Sequence, residues 1–201
     1  LAALLEDFRA QLPFVAGREF RTLFLGGGTP SLFPPEAIDR LLRELRSLAA
    51  FSPGAEVTLE ANPGTIERGR FADYRAAGIN RVSLGAQSFG PRQLERLGRI
   101  HSADETRRAA EELHAAGLTN FNLDLMVGLP EQNLAGALAD VHEALKLRPA
   151  HLSHYQLTME PGTVFGGRPP AGLPGDDEAA DLQLQCQQLL DAPEEVSQAL
   201  A

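Results

Sequence analysis

Cysteine is almost absent from this chain: Cys186, in "DLQLQCQQLL", stands alone among 201 residues. One thiol excludes an internal disulfide, and it excludes a zinc site or iron–sulfur cluster built from the chain's own cysteines. Such low cysteine usage accords with a reducing, cytoplasmic setting. Positive charge is also scarce, with 18 Lys and Arg against 27 Asp and Glu and a formal net charge of −9. No basic stripe relieves that balance, so nucleic acid is not the expected partner. No apolar run approaches the roughly 18 residues that a membrane span requires. The opening "LAALLEDFRAQL" is apolar, but Glu6 and Asp7 interrupt it and no basic leader precedes it, so it reads as an amphipathic helix rather than a signal peptide.

What is present is an alternation. Strand-length apolar runs occur at 21–26 ("RTLFLG"), 56–61 ("EVTLEA"), 81–86 ("RVSLGA"), 120–128 ("NFNLDLMVG") and 151–157 ("HLSHYQL"). Between them lie segments of helical period. Pro34-Pro35 opens one that runs to about Ala50, Thr65 one that ends at Ala77, and Ser102 with Glu105 forms a capping-box pattern for one ending at Ala116. Asn133 starts another that ends near Leu147. Strand–helix alternation of this kind argues for an α/β fold with a parallel sheet. Two segments, "AAGINRVSLGAQ" and "AAGLTNFNLDLM", begin at Ala76 and Ala115; each closes a helix on glycine, Gly78 or Gly117, and launches a strand. That is a repeat of about 40 residues, the size of one β/α unit. Glycine and proline crowd 166–175, which excludes regular structure there, and a last helix is expected at 176–191.

Alternation within the strands separates two faces. Val57, Leu59, Val82, Leu84, Leu123 and Leu125 suit packing under helices. Thr58, Glu60, Ser83, Gly85, Gln87, Asn122 and Asp124 share the other face, which points inward if the sheet curls into a barrel. Glu60, Gln87 and Asp124 fall at the carboxyl ends of their strands, where α/β folds place their sites. Polar residues there can also serve only to cap the next loop. Buried carboxylates nevertheless need donors, and a polar ligand with ammonium and hydroxyl groups would supply them. "GGGTPS" follows the first strand at the same end. By itself it lacks both the dinucleotide glycine pattern and the Lys-Ser/Thr of a phosphate loop, so a tight turn and a close approach to ligand both fit it.

"GGGTPS" (26–31), "LEANP" (59–63), "GAQSF" (85–89), "LGRIHS" (97–102), "NLDLMVGLPEQ" (122–132) and "YQLTMEPGT" (155–163) together resemble the radical S-adenosylmethionine proteins related to oxygen-independent coproporphyrinogen III oxidase. "LEANPGT" and the last segment look most like its haem chaperone branch, called HemW. The resemblance implies an incomplete TIM-like (β/α) barrel over 1–165, followed at 166–201 by a Pro/Gly-rich linker and a helix leading toward a C-terminal domain. It implies S-adenosylmethionine contacts at Gly27, Gly28, Thr29, Glu60, Gln87, Arg99 and Asp124. Arg99 can pair the methionyl carboxylate bidentately, Gln87 and Asp124 suit ribose hydroxyls, and the partner of Glu60 stays open.

The resemblance also exposes a departure. The family binds a four-iron, four-sulfur cluster through Cys-x3-Cys-x2-Cys upstream of the Gly-rich motif, and those cysteines are not in this sequence; Cys186 cannot replace three thiolates. The expectation is a cluster in the full-length parent only, and no radical chemistry by these residues alone. Haem or a porphyrinogen, and an electron donor or haem-accepting protein, are the further partners implied. Haem transfer and coproporphyrinogen oxidation both remain open, as does a truncated, inactive barrel. The histidines read as poor metal ligands: His151 and His154 fall on opposite faces of one strand, and His114 and His142 lie on helices among charges. His101, beside Arg99, could touch ligand or cap the helix at Ser102.

Overall fold

A computed structural model describes residues 1–64 and 69–192. Its strands are β1 (Phe20–Leu25), β2 (Phe51–Ala61), β3 (Arg81–Gln87), β4 (Phe121–Val127) and β5 (His151–Gln156). Its helices are α1 (Ala2–Gln11), α2 (Pro35–Leu48), α3 (Phe71–Ala77), α4 (Pro91–Arg96), α5 (Ala103–Ala115), α6 (Leu134–Lys146), α7 (Val164–Gly167) and α8 (Asp176–Leu190), with short 3-10 turns at Leu12–Val15 and Pro30–Leu32. The strands form one parallel sheet in the order β1-β2-β3-β4-β5, curled into half a barrel with its helices.

The expected faces are the observed ones. Leu59, Val82, Leu84, Leu123 and Leu125 are fully buried and Val57 nearly so; each fully buried aliphatic side chain is worth roughly 1.5–3 kcal/mol. Helices meet this face with apolar stripes of matching period. α2 contributes Ile38, Leu41, Leu42 and Leu45, and α6 contributes Ala137, Val141, Ala144 and Leu145. α8 packs its Leu182, Cys186 and Leu189 into the same core.

The helix boundaries follow local chemistry. The Ser102–Glu105 capping box forms, Asn133 caps α6 by accepting from Gly136 N–H at 2.9 Å, and Gly78 ends α3 in the left-handed region at φ 108. Gly117 follows α5 with φ 72, so the two repeated segments do become equivalent units, with β3 and β4 side by side.

Several expectations need correction. β2 begins at Phe51 rather than Glu56, because Phe20 pairs with Phe51 and their rings stack at 5.3 Å, which carries the strand through Pro53-Gly54. α2 stops at Leu48. The glycine- and proline-rich stretch is not wholly irregular: Thr163 accepts from Gly166 N–H and supports the single turn α7. α1 is a helix, but none of its residues is buried. The helix start expected at Thr65 lies outside the described residues; the described part runs from Phe71.

Candidate functional site

The site lies at the carboxyl ends of the strands, walled by the segments that follow β1, β2 and β3 and by the inner face of the sheet. The turn after β1 is built on consecutive left-handed glycines, Gly27 at φ 80 and Gly28 at φ 63, a conformation that costs other residues about 1 kcal/mol or more. It is tied to β2 through Glu60, whose Oε2 accepts from Gly27 N–H at 3.1 Å. Its far side is tied to α3 by the buried Tyr74, whose hydroxyl donates to the Ser31 carbonyl at 2.6 Å and lies 3.0 Å from that of Phe33. Gly26 is where the packing is closest: a Cβ there would stand 2.8 Å from the Phe24 ring and 3.1 Å from the Glu60 carboxyl.

The inner face of the sheet supplies the floor. Asn122 Nδ2 donates to Asp124 Oδ1 and to Ser83 Oγ, both at 2.8 Å; Ser83 Oγ donates to Asp124 Oδ2 at 3.0 Å, and Ser153 Oγ to Asn122 Oδ1 at 3.0 Å. The Asp124 carboxylate is thereby oriented by three strands at once. At the end of β3 the register shifts and Gln87 takes a left-handed φ of 67, unusual for a residue with a side chain. The loop beyond it is pinned from α6. Asp140, in the middle of that helix's apolar stripe, accepts from Ser88 Oγ and Phe89 N–H, each at 2.7 Å, and from Gln132 Nε2 at 3.2 Å. Burial still holds the Asp140 carboxyl above the usual carboxylate range.

Six of the seven residues marked in the sequence, Gly28, Thr29, Glu60, Gln87, Arg99 and Asp124, line one cavity of about 200 Å³. Gly27 does not line it and instead holds Glu60. Pro30, Ala61, Asn62, Ser83 and Gly85 complete the wall. A second cavity, of about 390 Å³, continues along the inner face and shares Glu60, Ser83 and Asp124. The Arg99 side chain makes no hydrogen bond or ion pair among the described residues, so its guanidinium is available to an anionic group. His101 is buried, with Nε2 3.1 Å from the Ala86 carbonyl, and so fixes the chain just after Arg99.

Sequence reasoning passed over three contributors. Tyr155, inside a quoted motif, places its hydroxyl 3.0 Å from Gln87 Oε1; its pKa is raised, first by burial and then by Asp124. Asp140 was detectable as a carboxylate on the buried face of an apolar stripe. Tyr74 carried no local signal. The other histidines have structural partners: His114 with the Leu147 carbonyl, His142 with that of Leu138, and His151 with Arg81. Burial lowers the pKa of His154. Among the described residues no three His, Cys, Asp or Glu side chains gather to hold a metal ion.

With this geometry, comparison with known proteins is decisive: the model of the radical SAM superfamily matches residues 4–144. The chain belongs to the radical SAM superfamily. It is 51% identical over 189 residues to a protein of Escherichia coli strain K12 called heme chaperone HemW, and 49% identical over 191 residues to its namesake in Haemophilus influenzae. These alignments cover 94% and 93% of the chain but 50% of each relative, so the chain spans about half the length of the curated relatives it matches. Among solved structures, coproporphyrinogen III oxidase (HemN) from Escherichia coli superposes with a TM-score of 0.82 at 28% identity, covering 98% of this chain and 45% of that one. The chain is thus a HemW-like radical SAM protein.

Membership implies S-adenosylmethionine and a four-iron, four-sulfur cluster as the family's cofactors. The described residues fit the first. Gln87 lines the cavity, and its side-chain nitrogen, which makes no hydrogen bond among the described residues and is not sealed from the cavity, is a donor open to a ligand acceptor. They do not fit the second. Cys186 is fully buried in α8, and burial pushes its thiol up to about 11, whereas cluster ligation requires several thiolates.

Proposed function

We propose that this chain is the S-adenosylmethionine-binding part of a protein that binds haem and hands it on. The observation that carries the first half is the convergence of Gly28, Thr29, Glu60, Gln87, Arg99 and Asp124 on one cavity at the carboxyl ends of the strands. Arg99 would pair the methionyl carboxylate, Glu60 would face the ammonium, and Asp124 would accept from a ribose hydroxyl while Gln87 donates to one. Gly27 would act indirectly, by holding Glu60. The second half, haem transfer, is supported by the names of the relatives at 51% and 49% identity. Within this reading the cluster belongs to the full-length protein, residues 1–165 form the barrel portion, and 166–201 lead toward a further domain. A cytoplasmic location and a partner that supplies electrons or accepts haem belong to the same proposal.

The second reading, oxidation of coproporphyrinogen III, is favoured by the superposition on HemN. Titrating haem into the full-length protein, beside an assay for porphyrinogen decarboxylation, separates the two: tight haem binding without turnover supports transfer, and turnover overturns it. The cavity itself is tested by titrating S-adenosylmethionine into the native chain and into Arg99→Ala and Asp124→Ala. Losses of about tenfold or more in affinity are expected, on the order of one charge-assisted hydrogen bond. Unchanged affinity in both variants would refute the assignment.

A further inference from the structure

We propose that Tyr155 is a positioning residue for the S-adenosylmethionine site: its hydroxyl fixes the Gln87 side-chain amide so that the NH2 group, not the carbonyl, faces the ligand. The inference rests on the proposed S-adenosylmethionine reading for the identity of that ligand, but not for the contact itself.

Gln87 ends β3 in the left-handed region, where a residue with a side chain persists only if its surroundings hold it. Below it, the backbone is anchored by Asp140 through Ser88 and Phe89. Above it, the amide is free to flip by half a turn unless something distinguishes its two ends, because oxygen and nitrogen occupy nearly the same space. Tyr155 makes that distinction. A phenol can both donate and accept, but Gln87 Oε1 is the one acceptor the Tyr155 proton finds among the described residues, so a flipped amide would leave that proton unpaired. Tyr155 comes from β5, two strands away, and its hydroxyl donates to Gln87 Oε1 at 3.0 Å. With the carbonyl so engaged, the nitrogen turns across Gly85, 2.9 Å from where a Cβ on that glycine would stand, on the wall of the cavity.

The consequence is chemical. A site with carboxylates at Glu60 and Asp124 offers only acceptors at those positions. Gln87, held this way, adds a donor next to them. The two kinds of group together can read a hydroxyl as both donor and acceptor, which neither carboxylate can do alone. Gly85 then has a role of its own, since any side chain there would displace the amide nitrogen.

Two measurements on the 201-residue chain test this. In the ligand-free, 15N-labelled protein, the Gln87 side-chain amide pair, identified by its loss in Gln87→Ala, is expected to shift in Tyr155→Phe while other side-chain amides stay in place. A pair that does not move overturns the proposal. In the second, S-adenosylmethionine is titrated into the native chain, Tyr155→Phe, Gln87→Ala and the double variant. Removing the hydroxyl should weaken binding roughly three- to tenfold in the native background and not at all in the Gln87→Ala background. Equal losses in both backgrounds would show that Tyr155 acts independently of Gln87 and would overturn the proposal. Failure of the native chain to bind S-adenosylmethionine would instead refute the reading of the cavity, with the amide resonances still deciding whether Tyr155 positions Gln87.

Discussion

The backbone N–H of Gly27 donates to Glu60 Oε2 at 3.1 Å, joining the turn after β1 to the end of β2. This bond separates the duties of the neighbouring glycines. Gly26 is close-packed, with the Glu60 carboxyl 3.1 Å from a would-be Cβ, whereas nothing lies within 4 Å of one on Gly27, which is needed for its positive φ. Gly26→Ala should therefore displace Glu60 and weaken S-adenosylmethionine binding by about tenfold. Gly27→Ala should chiefly lower stability, by about 1 kcal/mol. Calorimetric titration beside urea unfolding of both variants checks the contrast; identical profiles would contradict it.

Tyr74→Phe keeps the ring in its fully buried place but removes the hydroxyl from the carbonyls of Ser31 and Phe33. A loss of roughly 1–3 kcal/mol in unfolding free energy is expected. Faster amide exchange at Leu32 and Phe33 should accompany it if the hydroxyl holds the loop against α3.

Asp140→Asn leaves one oxygen where a carboxylate serves Ser88, Phe89 and Gln132, and should cost about 1–3 kcal/mol. The wild-type carboxyl has a raised folded-state pKa. Its contribution to stability is therefore greatest below the unfolded value, near 4, and falls as pH rises through the folded one. The stability gap between wild type and Asp140→Asn should widen on acidification from pH 7 to about pH 4.5. A gap that narrows would mean that the donors around Asp140 outweigh its burial.

Cys186 is fully buried and its thiol is pushed up to about 11. At pH 8 the native chain should react negligibly with a disulfide reagent such as Ellman's, and should take up one equivalent once denatured. Rapid native labelling would show that α8 detaches from α6 under these conditions.

The number of strands and the division of their faces were legible from local pattern. Val82 and Leu84 alternate with Ser83, and Leu123 and Leu125 flank Asp124, so period 2 alone assigned these residues to core or interior. The helix caps at Ser102 and Asn133 were equally local, since a cap involves residues three apart. Other features escaped because their causes are distant in sequence. The early start of β2 depends on Phe20 stacking with Phe51, and α4 is only six residues long, too short to establish a period, though Pro91 marks its first turn.

The sequence by itself determined which groups the site could contain. Glycines, carboxylates, an amide and an arginine stand beside strand ends, and a single cysteine cannot make a cluster. Only the tertiary structure decided how those groups are used. Gly27 serves Glu60, and Asp140 on an outer helix steadies the loop beyond Gln87. Tyr155, 68 residues away in the chain, orients the Gln87 amide. The physical reason is that hydrogen bonds select partners by distance and angle in space, and no periodicity along the chain encodes which strands will bring two side chains within 3 Å.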